Sequence, residues 1–408
     1  PTQNLAAYDA YLRSEALVGV DPATHRRALA EAEQAVALDS GFAAAWARIS
    51  RLHSSLYVES IPTRAEADAA RRAAERAVAL APMASEGYIA RGDYNLDIQN
   101  DQSMARAAYE TALRLAPSSS QANRALAEVD AAAGRWAEAL ARLRQAAVLD
   151  PRSAGAMRAL SFLLVRLRRY PEARVEADRG LTLAPGDLAL TRHRAMSWLG
   201  EGDLAGARAS LRDIPPTLDR AALAAYMANF DDLYWVLDSA DRALVLTLQP
   251  SAFDDDRSEW GLVRAEIYWL AGDTVSARRY ADVARAAGEG QLRAAPNDVF
   301  LHLYRGLELA YLGQRSAASR EGELGLRLAL ATGDQQYDIP YARHVLARLY
   351  VATGDHPRAL DQLDAILSKP YMISPAWLKI DPTWAPLKGD PRFERMLTQP
   401  PMTPAGIA

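Results

Sequence analysis

Cysteine is absent from all 408 residues. This excludes disulfides, thiolate metal ligands and a thiol nucleophile, and it fits an extracytoplasmic compartment. Lysine is nearly absent: Lys369, Lys379 and Lys388 are the only three among 47 basic residues, so positive charge is carried by arginine. With the heavy use of alanine, this looks like genomic base bias. Neither sign of charge dominates. The 47 basic residues against 51 acidic ones leave a formal net charge of -4, which argues against a general polyanion binder, so no nucleic-acid partner is expected. No apolar run of about 18 residues occurs, so no membrane span is expected. No signal peptide is read in the sequence, and a start at proline is expected of a processed or excised segment. Glycine-rich phosphate loops are missing as well, and no stretch reads as a convincing strand, so neither nucleotide hydrolysis nor a dinucleotide cofactor is expected.

What is present is the composition of a folded chain, 50% hydrophobic and 24% charged. The length divides into 12 units of 34 residues, and self-alignment at that period gives the strongest signal. Ala139, Leu143, Ala146 and Pro151 are followed one period later by Ala173, Ala177, Gly180 and Pro185. Earlier units end alike, at Ala77 to Pro82 and Ala112 to Pro117. Antiparallel helices approach closely only where side chains are small, so alanine or glycine recurs at the contact positions and larger apolar residues fill the spaces between. Proline ends the second helix, and Gly134, Gly202, Gly272, Gly313 and Gly354 supply the turn within a pair.

At these residues the chain resembles the tetratricopeptide repeat family. The motif positions of the first helix match Trp46, Ile49, Ser50 and, as a departure, His53; those of the second match Ala70, Ala74, Ala77 and Pro82, and again Ala359, Leu363 and Ile366. The resemblance implies an all-α, right-handed superhelical solenoid of about ten helix pairs, near 4–40, 43–82, 85–117, 120–151, 154–185, 188–214, 218–248, 258–296, 299–330 and 340–370. The expected organisation is a regular array over 1–214, an irregular helical segment over 215–257, a second array over 258–370 and a capping tail over 371–408. In that tail Trp377, Trp384 and Phe393 are expected to cover the last pair's open face, since terminal repeats otherwise expose apolar surface. Its run from Asp381 to Phe393, with the opening run Asn4 to Arg13, is similar to the flanks of tetratricopeptide regions in bacterial serine/threonine kinases, adenylate cyclases and TolB-like proteins. That likeness favours the extracytoplasmic side of a bacterial membrane protein over the cytoplasm.

Candidate chemistry is sparse. The six histidines, His25, His53, His193, His302, His344 and His356, are scattered without ligand spacing, so no metal is expected. Asp254, Asp255 and Asp256 read as a solvated loop or helix start, and Asp231 and Asp232 as helix-start residues favoured by the dipole. The resemblance implies that the slot after the first-helix aromatic faces the concave groove. Arg124, Arg158 and Arg192 occupy it at intervals of one period, with Glu128 and His193 beside them. They read either as a ladder holding carboxylate or phosphate groups, or as solvated arginines paired with Glu128 or Asp93. Aromatic residues crowd the irregular region. Tyr268 and Tyr311 fall near motif core positions, whereas Tyr226, Trp235, Trp269 and Tyr304 are the candidates for a groove pocket.

The expected function is a non-catalytic ligand- or protein-binding domain, the sensory or scaffolding part of a bacterial signalling protein, without a cofactor. Its partner would be a protein or peptide, or a small anionic ligand, with a kinase or cyclase domain possible as an attachment. A structural adaptor with no small-molecule pocket is the alternative. An enzyme would require a carboxylate pair, Glu266 with a neighbour, placed over a pocket.

Overall fold

The computed structural model describes residues 2–17, 21–60 and 62–399. Pro1 and positions 400–408, the end of the expected capping tail, lie outside the described residues. Within the described residues every regular element is a helix. The pairs are α1 (Leu5–Ala16) with α2 (Pro22–Leu38), α3 (Ala43–Glu59) with α4 (Arg64–Leu80), and α5 (Ser85–Asp93) with α6 (Gln102–Leu115). They continue as α7 (Ser120–Ala132) with α8 (Trp136–Leu149), α9 (Ala154–Arg166) with α10 (Tyr170–Leu183), α11 (Leu188–Gly200) with α12 (Leu204–Arg212), and α13 (Arg220–Asn229) with α14 (Ser239–Val245). The last are α15 (Arg257–Leu270) with α16 (Thr274–Ala294), α17 (Val299–Tyr311) with α18 (Arg315–Thr332), and α19 (Asp338–Thr353) with α20 (His356–Leu367). A tail of two short helices follows, α21 (Pro375–Ile380) and α22 (Pro391–Thr398). The described residues thus form an all-α solenoid of ten helix pairs with a C-terminal cap.

Small residues set the pairing. Ala28, Ala32 and Ala35 on α2, Ala70, Ala74 and Ala77 on α4, and Ala105, Ala108 and Ala112 on α6 are at most 3% exposed. Their spacing of three and four keeps them on one face, and their size brings the axes together. The turn inside a pair is equally periodic. Asn100, Gly134, Arg168 and Gly202 follow at 34-residue intervals, and all four are left-handed, with φ of 51°, 74°, 59° and 84°. Glycine adopts that region freely, whereas an L side chain there costs about 1–2 kcal/mol. At Arg168 this cost is offset by hydrogen bonds from its guanidinium to the carbonyl oxygens of Leu367, Lys369 and Ile373, at 3.3, 3.2 and 3.0 Å.

The period is not uniform. Gly272, Gly313 and Gly354, with φ of 78–80°, recur at 41 residues rather than 34. The difference of 7 is about two helical turns: α16 takes it up whole, with 21 residues against 14 in α8 and α10, whereas in the next repeat α18, with 18, takes up 4 and α19, with 16 against 13 in α9, takes up 3. Whole turns lengthen a helix without rotating its buried face.

Internal contacts divide the chain into two compact units. The first holds the residues up to Ala131, then Arg135–Leu160 and Arg179–Ala189; the second holds Ala132–Gly134, Ser161–Asp178 and everything from Leu190 onward. In the second unit the regular pattern breaks after α13. Asp231 and Asp232 turn left-handed at φ 57° and 58°, and Leu233, Tyr234, Trp235, Val236 and Leu237 are then all buried, at 0–4% exposure. A run buried on every side cannot be an amphipathic repeat helix, and it forms a core of its own. The tail covers both this core and the last pair. Trp384 lies 5.9 Å from the His344 ring on α19, whereas Trp377 meets Trp235 edge to face at 6.1 Å.

Candidate functional site

In the first unit, charges on successive first helices face one another. Arg48 on α3 donates to the Ser14 carbonyl at 3.0 Å, and Arg51 donates to Asp93 on α5 at 3.0 Å. Tyr109 on α6 adds a hydroxyl to the same carboxylate at 2.7 Å. Arg158 is committed to Asp187, whose side chain is fully buried, through Nε at 2.9 Å and Nη2 at 2.5 Å. Arg124 is the exception: no ion pair or hydrogen bond holds it among the described residues, although Asp93 and Glu128 act on it through their fields. Its pKa is lowered, first by burial and then by the charge of Arg51. Glu128 is exposed, and with Asp93 it raises the pKa of Asp97, whose main cause is burial.

The third arginine, Arg192, belongs to the second unit and is 9% exposed. It faces Asp231 at 3.3 Å and the rings of Tyr226 and Phe230 at 5.3 and 5.4 Å. His193 is also buried, stacked on Phe162 at 4.8 Å and bonded to the Ser161 hydroxyl at 2.9 Å. The spacing that suggested an open ladder therefore places Arg158 and Arg192 in internal ion pairs. Asp231 and Asp232 correct the helix-start reading: they are 3% and 7% exposed, and Asp232 forms an ion pair with Arg348. Adjacent non-glycine residues in the left-handed region are the kind of backbone strain that collects at functional sites.

Arg348 on α19 is the hub of this seam. It takes Asp232 on one side, Glu266 at 2.6 Å on the other and the Tyr234 hydroxyl at 3.2 Å. His344, one turn earlier, lies 3.9 Å from Asp232, yet burial and then the Arg348 charge push its pKa down to about 3, so the ring stays neutral. Among the aromatic candidates, Tyr226 packs on Phe230 at 4.5 Å, Trp235 is core beneath Trp377, and Trp269 meets Tyr311 tilted at 5.1 Å. Tyr304 lines a cavity of about 70 Å³ that Asn229, Asp232, Glu259, Glu266 and Tyr341 also line. Glu259 escaped the sequence reading, although it stands two turns before Glu266 and hence on the same face of α15.

Burial dominates the titration of this unit. Glu259 and Glu308 are each pushed up to about 8, and Glu266 to about 7, from an ordinary 4.5. Folded, these groups hold protons that the unfolded chain releases above about pH 4.5, so stability falls as pH rises from there and levels off above about pH 8. His344 opposes this only below about 6.5, where the unfolded ring binds a proton that the folded one does not. Urea melts should accordingly show the chain several kcal/mol less stable at pH 8.5 than at pH 6, with Glu308→Gln shallowing the slope. A flat or rising profile would contradict buried, protonated carboxyls.

No family model matches the sequence, and no curated protein does. Solved structures similar in fold are tetratricopeptide repeat proteins and related assemblies. YrrB, described as a TPR protein with an unusual peptide-binding site, is 18% identical over 44% of this chain and 89% of its own, at a TM-score of 0.30. The APC/C hetero-tetramer Cut9-Hcn1 is 16% identical over 84% of this chain, at 0.46, and the match spans only 54% of that chain. A tetratricopeptide repeat protein from Parabacteroides merdae is 13% identical over 74% of this chain and 97% of its own, at 0.39. The chain's own helix pairs, alanine contacts and in-pair turns give it the tetratricopeptide-type fold. Among the described residues no helix is long and apolar enough to cross a membrane.

Proposed function

We propose that the chain is a non-catalytic binding scaffold whose first unit takes an acidic segment of a protein partner. The observation that carries this reading is Arg124, a partly desolvated guanidinium on a first helix with no ion-pair partner among the described residues. A planar fork of donors in a partly dry setting suits a carboxylate, which it binds through two parallel bonds. Arg51 and Arg158 add positive field, but each is tied to its own aspartate. A role as the sensory or scaffolding part of a bacterial signalling protein, attached to a kinase or cyclase, rests on the resemblance of the two flanks.

The test is fluorescence anisotropy with a labelled hexaglutamate peptide. Arg124→Glu should weaken binding at least tenfold with an unchanged melting temperature. Arg158→Ala should instead lower the melting temperature, because it strands the buried Asp187. Equal affinity of wild type and Arg124→Glu would remove Arg124 from the binding surface.

The carboxylates around the cavity meet the geometric condition set for an enzyme, since Glu266 has Asp232 and Glu259 as neighbours over a pocket. Two features favour a binding role. Arg348 ties up one oxygen each of Asp232 and Glu266, and about 70 Å³ admits a head group rather than a whole substrate. Turnover of generic ester or phosphoester substrates would overturn the non-catalytic reading.

A further inference from the structure

We infer that the cavity between α13, α15, α17 and α19 of the second unit is a receptor for an alkylammonium or guanidinium head group. The inference does not rest on Arg124 or on the first unit.

The first support is an imbalance of donors and acceptors. Asp232, Glu259 and Glu266 line the cavity, and the one cation among their contacts is Arg348. Glu259 accepts a single bond, from the Asn229 amide at 3.1 Å. Asp232 is 7% exposed and spends one oxygen on Arg348, while its other oxygen is buried without a hydrogen-bond partner. Asp256, at the cavity rim, is already satisfied, accepting from the Ser258 and Glu259 amides at 2.7 and 3.3 Å and from Gln291 at 2.8 Å. The carboxylates left short of donors are thus Asp232, Glu259 and Glu266, all of which line the cavity. A buried acceptor without a donor costs about 1–3 kcal/mol, and more if charged, so the site favours a guest that brings N–H donors and positive charge together.

Shape and walls agree. At about 70 Å³ the cavity is about half the size of the roughly 150 Å³ cavity that takes up a benzene molecule, enough for an ammonium or guanidinium and its last methylene. Leu262, Val263 and Leu301 give the stem an apolar wall, and Tyr304 and Tyr341 complete the lining. Water fills such a space but brings no positive charge of its own. A bare metal ion fits poorly, because no group of three or more ligating side chains converges among the described residues. The raised pKa values of Glu259 and Glu266 have burial as their first cause, and Asp256 and Asp232 respectively supply the leading like-charge push. Glu259 and Glu266 therefore hold protons that a bound cation would displace.

The head group can come from a free amine or from a basic side chain, and the probes separate these sources. Isothermal calorimetry on the full chain would use agmatine and butylammonium for the first, the blocked tripeptide acetyl-Gly-Arg-Gly-amide for the second, and butanol as the neutral control. The expected result is saturable one-to-one binding of at least one cationic probe and none of butanol. Glu259→Gln, which keeps the size of a side chain already protonated, should weaken that binding at least tenfold. Val263→Phe should abolish it by filling the cavity while every charge remains. Circular dichroism melts confirm that both variants fold. Failure of every cationic probe to bind at 10 mM, or binding unchanged in both folded variants, overturns the inference. Loss of hexaglutamate binding alone would leave it standing.

Discussion

Replacing Arg348 by alanine should destabilise the second unit by about 3–5 kcal/mol, the range for removing one partner of a buried ion pair. The side chain is 3% exposed, and it is the counter-charge for both Asp232 and Glu266. Burial alone would lower its pKa, yet the pKa is raised well above the ordinary value, because Asp232, Tyr234 and Glu266 together outweigh desolvation. With the guanidinium gone, two carboxylates stay in a region too dry to solvate them, and they fold only by taking up protons. A loss of that size is a large part of a domain's whole margin, and it should lower the melting temperature by roughly 6–20 °C. Arg348→Lys keeps the charge but cannot reach two carboxylates and a hydroxyl with one planar fork, so it should fall between. The triple variant Arg348→Met, Asp232→Asn, Glu266→Gln removes cation and anions together and should recover most of the loss, since replacing a whole buried pair is often neutral. A melting temperature for Arg348→Ala within 2 °C of wild type would show that this ion cluster does not hold the unit together.

The same cluster marks how far the sequence could be read. Alanine spacing on second helices announces helix pairing, because only small side chains let the axes approach, and all ten pairs lie where that spacing placed them. The lengthened period of the later repeats stayed hidden for a physical reason. Added turns return the same face to the core, so the helical periodicity shows no break where the helices lengthen. Ion-pair partners were beyond reach. The regular interval of Arg124, Arg158 and Arg192 was plain, but Asp187 and Asp231 lie far along the chain from the arginines that they neutralise, and only tertiary packing brings them together. At Asp231 and Asp232 the dipole argument assumed an ordinary helix start, whereas both backbones are left-handed and both side chains point into the core. The pairing of Glu259 with Glu266 was legible from helical spacing alone, and the aromatic crowding nearby drew attention from it.

Cutting the chain after Leu367 should cost the second unit its native fold, and Trp377→Ala alone should cost about 3–5 kcal/mol, as for a large buried aromatic. Trp377 and Trp384 are 1% and 0% exposed, and each seals a different neighbour. Trp384 lies against His344, with Arg392 pinning α22 to Asp361 and Asp364 of α20 at 2.7 and 2.5 Å. Trp377 stands over Trp235, where the repeat is interrupted, and the Ser374 hydroxyl beside it donates to the Gly200 carbonyl at 2.6 Å. A simple end cap would predict that only α19 and α20 loosen when the tail is lost. The contacts of Trp377 and Ser374, and the bonds from Arg168 to Leu367, Lys369 and Ile373, predict that α11 and the 230–237 core loosen as well. Hydrogen exchange on Trp377→Ala separates the two outcomes: added exchange confined to α19 and α20 would reduce the tail to a terminal cap. The Trp384 indole N–H lacks a hydrogen-bond partner among the described residues, so phenylalanine restores most of the apolar contact without a stranded donor. Trp384→Phe should therefore lose far less than Trp384→Ala, and the difference between them measures how much of the cap is ring packing.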